Sequence, residues 1–251
     1  MAELGAVIAG GDRPASQVRS GREYYTAISL VILAIVVGGF VRSFFLRPFF
    51  STHHALDLSG TSGMPALVIA HGAVLTAWFL LFVAQVRLVA TNRTYLHRRL
   101  GVATVVVAAL LIAVTLPTII LSMARFDHAG IPRMVSTNVA INDFLSLAWF
   151  ALLIGIAVYM RRRPETHKRL MVLASIAILA PATARIGDMF GNAVVVIVGG
   201  QIALWLSLAI HDFATRKRLH SATIWGGLLI VIVSPLLAAL LNALYTGSSG
   251  R

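Results

Sequence analysis

Residues 78–116 read WFLLFVAQVRLVATNRTYLHRRLGVATVVVAALLIAVTL. An apolar run descends into a short basic turn, Asn92 to Leu100, and a second apolar run climbs away from it. The pattern returns around Arg161, Arg162, Arg163, Pro164, Glu165, Thr166, His167, Lys168, Arg169 and Leu170, and in weaker form around Arg216, Lys217, Arg218, Leu219 and His220. Apolar runs joined by arginine-dense bends mark a chain that crosses lipid repeatedly, because the spans must shed charge and the bends must hold it.

Composition points the same way. The chain has 251 residues, 58% hydrophobic and 12% charged, whereas a water-soluble domain carries about 25% charged residues. The net charge of +12 would suggest nucleic acid if it covered one accessible face. Here it sits in short loops, so the expected partners are anionic lipid headgroups at the cytoplasmic arginines, and nucleic acid is not expected. The absence of cysteine removes disulfides, iron–sulfur clusters, thiolate metal sites and cysteine nucleophiles.

A bilayer core takes about 20 apolar residues per helix. Seven segments reach that length, at 24–46, 65–90, 100–122, 139–160, 169–190, 193–212 and 222–245. Backbone amides in lipid must be bonded within their own segment, so the expected fold is all-α, a polytopic bundle of seven transmembrane helices. Residues 1–23 and 247–251 are expected to be disordered tails flanking one transmembrane domain, 24–246. The first apolar run is too long for a signal-peptide core and leads into Arg42, Ser43, Phe44 and Phe45 rather than a small-residue cleavage motif, so it is expected to stay as an anchor helix.

Of the 21 Lys and Arg, 15 fall on one side of this arrangement. The positive-inside rule makes that side the cytoplasm, with the N-terminus inside and the C-terminus outside a plasma (inner) membrane. The remaining six helices form three hairpins of the same orientation, hence parallel repeats. Ala77, Trp78 and Phe79 match Ala148, Trp149 and Phe150, and each returning helix carries a proline, Pro117, Pro181 or Pro235.

Polar groups within lipid are costly and therefore candidates for function. Near the outer ends of the helices stand His71, Asn142, Asp143, Arg185 and Asp188, with His53, His54, Arg125, Asp127 and His128 in or beside the flanking loops. Together they could line a polar cavity. Imidazole with carboxylate suits a divalent metal ion, with His71, Asp143 and Asp188 as first choices. The same groups suit proton transfer, and Arg185 and Arg125 suit an anionic ligand. The plainer alternative is that Arg185 pairs with Asp188 or Asp143 only to neutralise buried charge. No HExxH, paired DxD or nucleophile elbow gives diagnostic spacing.

At the inner end, His97 and His167 occupy matching positions in two repeats. Two imidazoles at one depth on different helices suit axial ligation of haem b, with arginines for the propionates and His211 as a third possible ligand. Contact with lipid headgroups is the competing role. Retinal is excluded, since the only lysines, Lys168 and Lys217, lie in loops. Nucleotide-driven transport is not expected either, as no phosphate-cradling glycine loop is followed by lysine. The pair Gly199 and Gly200 reads as a place for close helix contact.

The strings LHRRLG, 96–101, and THKRLM, 166–171, resemble the HR-x-x-G turns of bacterial multi-span membrane proteins. More distantly they are similar to the turns of small b-type cytochromes and ferric-reductase-like membrane domains. The resemblance covers two hairpins. It implies a helical bundle handling haem, quinone or another electron carrier, and falls on His97 and His167 alone. His71 is matched in its repeat by Asn142, which departs from a two-haem pattern. Three functions stay open at this point: a redox protein binding haem or quinone, a metal-dependent or proton-coupled outer site, and an accessory subunit of a larger membrane complex or homo-oligomer.

Overall fold

The structure is a computed structural model that describes residues 15–50, 66–128 and 130–249. Among the described residues there is no strand, and the helices run in chain order as α1 Ala15–Phe40, α2 Ala66–Ala90, α3 Thr94–His128, α4 Arg133–Tyr159, α5 Pro164–Ala177, α6 Ala180–Met189, α7 Ala193–Arg216, α8 Ser221–Leu228 and α9 Ser234–Ser249. Two π turns, Val41–Phe45 and Leu229–Val233, extend α1 and join α8 to α9. Six of the resulting segments are long and apolar enough to cross a membrane, and α5 with α6 forms the seventh expected span as a pair bent by 49°. The protein is an all-α, multi-pass membrane protein.

Three contacts gather the basic turns at one end, called the arginine end below. Arg22 Nη2 donates to Asn92 Oδ1 at 2.7 Å, the rings of His97 and His167 meet with centroids 6.5 Å apart, and Arg216 Nη1 lies 3.3 Å from Glu165 Oε2. The matched aromatic triplets also touch, since the fully buried Trp78 stands edge-on to Phe150 at 4.9 Å. One side chain from each copy of the repeat thus meets between α2 and α4. In that packing α4 is central, with α3, α5 and α9 around it.

Three findings differ from the expected layout. Helix α1 starts at Ala15, inside the stretch expected to be tail. It is also a packed member of the bundle, because Ser29, Ile32 and Val36 are buried and it lies against α2 and α6. A Cβ on Gly39 would lie 2.4 Å from the Ala182 carbonyl oxygen, so glycine there sets the α1–α6 spacing. The fifth span is broken, and the cause is local: Pro181 has no amide proton and its ring crowds the carbonyl four residues back, at Ala177, where α5 ends. Pro235 has the same effect beside the second π turn, whereas Pro117 sits within an uninterrupted α3. Of the glycine pair, a Cβ on Gly200 would lie 3.4 Å from the Thr183 side chain of α6, while one on Gly199 would meet open space.

Candidate functional site

The irregular backbone has a common address. A cavity of about 550 Å³ opens near the end of the bundle opposite the arginine turns, and its lining draws on all three interruptions. The first π turn gives Ser43, Phe44 and Phe45; the break between α5 and α6 gives Ile178, Ala180 and Pro181; and the second π turn and the start of α9 give Ile230, Ser234 and Pro235. Single π turns within helices collect at functional sites because they aim side chains where a regular helix cannot.

His71, Asn142, Asp143, Arg185 and Asp188 all line this cavity. His71 lies in the second turn of α2, where its Nδ1 is 3.2 Å from the Thr115 hydroxyl of α3. Thr115 spends its own proton on the Leu111 carbonyl at 2.5 Å, so the imidazole donates to the threonine oxygen and keeps Nε2 for other work. Arg185 is held on two sides: Nη1 donates to the Pro181 carbonyl at 2.8 Å, and its guanidinium sits 4.6 Å over the Phe40 ring. Both of these contacts are made by the helix-start and α1 residues that border the break between α5 and α6. The Arg185 charge acts on both His71 and Asp143. Asn142 donates to Asn138 Oδ1 at 2.9 Å, and Asn242 of α9 donates to the same oxygen at 2.8 Å, which ties α4 to α9 along the cavity's edge. The remaining lining is mostly apolar, including Phe40, Leu75, Leu111, Phe126 and Leu147.

The other residues expected beside this site are placed differently. Arg125 is not in the lining, although its neighbour Phe126 is. The side chain of His128 and the whole of His53 and His54 lie outside the described residues. Among the described residues no three of His, Asp and Glu converge as a metal-binding group, so His71, Asp143 and Asp188 share a cavity without forming one.

At the arginine end the charged groups are consumed by one another. Arg169 and Asp212 are 1% and 0% exposed. Arg169 donates Nε to Asp212 Oδ1 at 2.8 Å, adds Nη2 to the same oxygen, and gives Nη1 to Glu165 Oε2 at 2.7 Å. The second Asp212 oxygen takes the Thr223 hydroxyl at 2.5 Å and the His220 amide at 3.2 Å. Lys168 and Arg216 complete Glu165 at 3.0 and 3.3 Å. Every lone pair of Asp212 is filled, which makes this a lock joining α5, α7 and α8 rather than a site. Sequence reasoning missed it by counting Arg169 among the topology signals, although an aspartate inside the apolar run of α7 was the available clue.

His97 and His167 are brought together, with ring planes at 79°, while His211 stacks on Tyr24 at 4.0 Å. Neither His97 nor His167 lines the 550 Å³ cavity. Comparison with protein-family models, with curated proteins and with solved structures gives no match.

Proposed function

We propose that this integral membrane protein binds a quinone-class molecule, an apolar ring bearing two hydrogen-bond-accepting oxygens, in the cavity built by the three helix interruptions. The observation that carries the reading is that convergence. Regular helices would close the space, and three separate departures from regularity surround a volume of about 550 Å³, within the range of small-molecule sites. The apolar lining accepts the ring, and the cavity lies among helices whose outer faces are apolar enough for lipid, the solvent from which such a ligand comes. Arg185 supplies donors for the oxygens of the oxidised ring, while His71 Nε2, which keeps its lone pair, and Asp143 accept from the hydroxyl groups of the reduced, quinol form. Phe44 closes against Gly72, where a Cβ would lie 2.4 Å from its ring, leaving that side aromatic.

Equilibrium binding of a short-chain benzoquinone to detergent-purified protein tests the reading. The expected result is saturable binding that Arg185→Ala weakens about tenfold, the cost of one lost hydrogen bond to a charged donor, while His71→Ala weakens binding of the corresponding hydroquinone by a similar factor. Absence of saturable binding by the unaltered protein rejects it.

The haem reading draws support from the meeting of His97 and His167. A porphyrin also needs a flat slot around the iron, and the 550 Å³ cavity is lined by neither ring. Haem b therefore has less support than the quinone reading.

A further inference from the structure

We propose that His97 and His167 hold one copper(I) ion at the arginine end, a site independent of the cavity. The two imidazoles come from different hairpins and meet with centroids 6.5 Å apart and planes at 79°. Two imidazoles sharing one ion at roughly 2 Å from each nitrogen have ring centroids roughly 5–6.5 Å apart, the upper limit corresponding to near-linear coordination.

The hydrogen bonding around the rings has the pattern of metal ligands. His167 Nδ1 is 2.8 Å from the Ala157 carbonyl oxygen, so Nδ1 carries the proton and Nε2 keeps its lone pair, the tautomer that a carbonyl behind a ligating histidine enforces. The His97 ring lies against the Gln85 backbone, and its Nδ1 is buried with no hydrogen-bond partner. Gln85, 5% exposed, gives its amide Nε2 to Thr104 at 2.9 Å and leaves Oε1 buried and unpartnered. A buried ring nitrogen without a partner is unfavourable, and a cation bound at His97 Nδ1 satisfies it. Arg98 acts on the His97 ring, which penalises a divalent ion about twice as much as a monovalent one. Imidazole donors in two-coordinate geometry with a single positive charge point to copper(I) rather than zinc(II).

The test is competition between detergent-purified full-length protein and bicinchoninate for copper(I) under reducing conditions, with zinc(II) as the comparison ion. The expected result is one copper(I) per chain in the unaltered protein and in His71→Ala. His97→Ala and His167→Ala should each lose more than the roughly 10- to 100-fold that removal of an outer-shell partner costs. X-ray absorption of the copper-loaded unaltered protein, which needs no variant to fold, should show two nitrogen neighbours. Equal copper binding in the histidine variants, tighter binding of zinc(II), no nitrogen pair at the metal, or a Soret band in the purified protein would each overturn the proposal.

Discussion

The two ends of this bundle use the same residue types to opposite effect. At the arginine end, Arg169, Glu165, Asp212, Arg216 and Thr223 bond one another until no donor or acceptor of Asp212 is left over. At the far end, Arg185, Asp143, Asp188 and His71 surround a cavity. The difference lies in the backbone. Helices α5, α7 and α8 are regular where they carry the lock, so their side chains reach one another directly. At the far end two π turns and a proline break border a space, and the polar groups line it. Charge buried in a membrane protein signals a site where the surrounding backbone leaves a space beside it.

The strongest way to break the comparison is Asp212→Ala. It leaves Arg169 buried without its principal partner, and removing one member of a buried pair costs about 3–5 kcal/mol. Thermal unfolding in detergent should show a large loss, while replacing both Arg169 and Asp212 by apolar residues recovers most of it. If Asp212→Ala unfolds like the unaltered protein, the lock is not structural.

At the far end the expected ordering reverses. Asp143→Asn should change the unfolding temperature less than Asp212→Ala does, since the side chain lines a cavity, yet weaken binding of the hydroquinone form, from whose hydroxyl the carboxylate accepts, about tenfold, a difference of about 1.4 kcal/mol. An equal loss of stability at both ends would erase the distinction drawn here.

Pro181→Ala sharpens the role of the backbone. Restoring the amide proton allows α5 and α6 to join, which removes the interruption that gives Ile178, Ala180 and Pro181 to the cavity lining. Proline inside a helix costs about 3 kcal/mol, so this variant is expected to be no less stable than the parent and to bind quinone more weakly. Retained binding in a straightened helix, seen as added helicity by circular dichroism, would detach the cavity from the break.

The smallest effect concerns pH. His220 Nδ1 accepts the Ala222 amide at 3.1 Å and caps α8, a role open only to the neutral ring. Burial, then the charges of Arg169 and Arg216, hold its pKa below the ordinary 6.5. The unfolded chain therefore takes the proton more readily than the folded one, so the contribution is full above pH 6.5 and is lost as pH falls through the lower folded value. The loss should be about 1 kcal/mol or less, the worth of one helix cap. His220→Asn, which caps without titrating, should flatten that part of the stability profile.

Much of the fold was legible because lipid imposes a length rule on the chain, and apolar runs of that length are hard to mistake. The break in the fifth span was not, since hydropathy averages over the backbone: Pro117, Pro181 and Pro235 look equivalent in the sequence, yet α3 absorbs its proline and the other two spans do not. His71, Asn142, Asp143, Arg185 and Asp188 could be placed at a shared depth by counting turns. What counting could not supply was the lateral arrangement that puts them around one space, because that depends on the π turns. Asp212 went unnoticed for the complementary reason: its partner Arg169 lies in a basic turn, where topology alone accounts for arginine.

The central claim is that the far-end cavity holds a ligand while the Arg169–Asp212 cluster only joins helices. It is tested most directly by extracting the protein purified from its native membrane and quantifying bound quinone by chromatography and mass spectrometry, for the unaltered chain and for Arg185→Ala. The account predicts near-stoichiometric quinone in the first and at least a tenfold loss in the second. No quinone in either, or equal amounts in both, would contradict it.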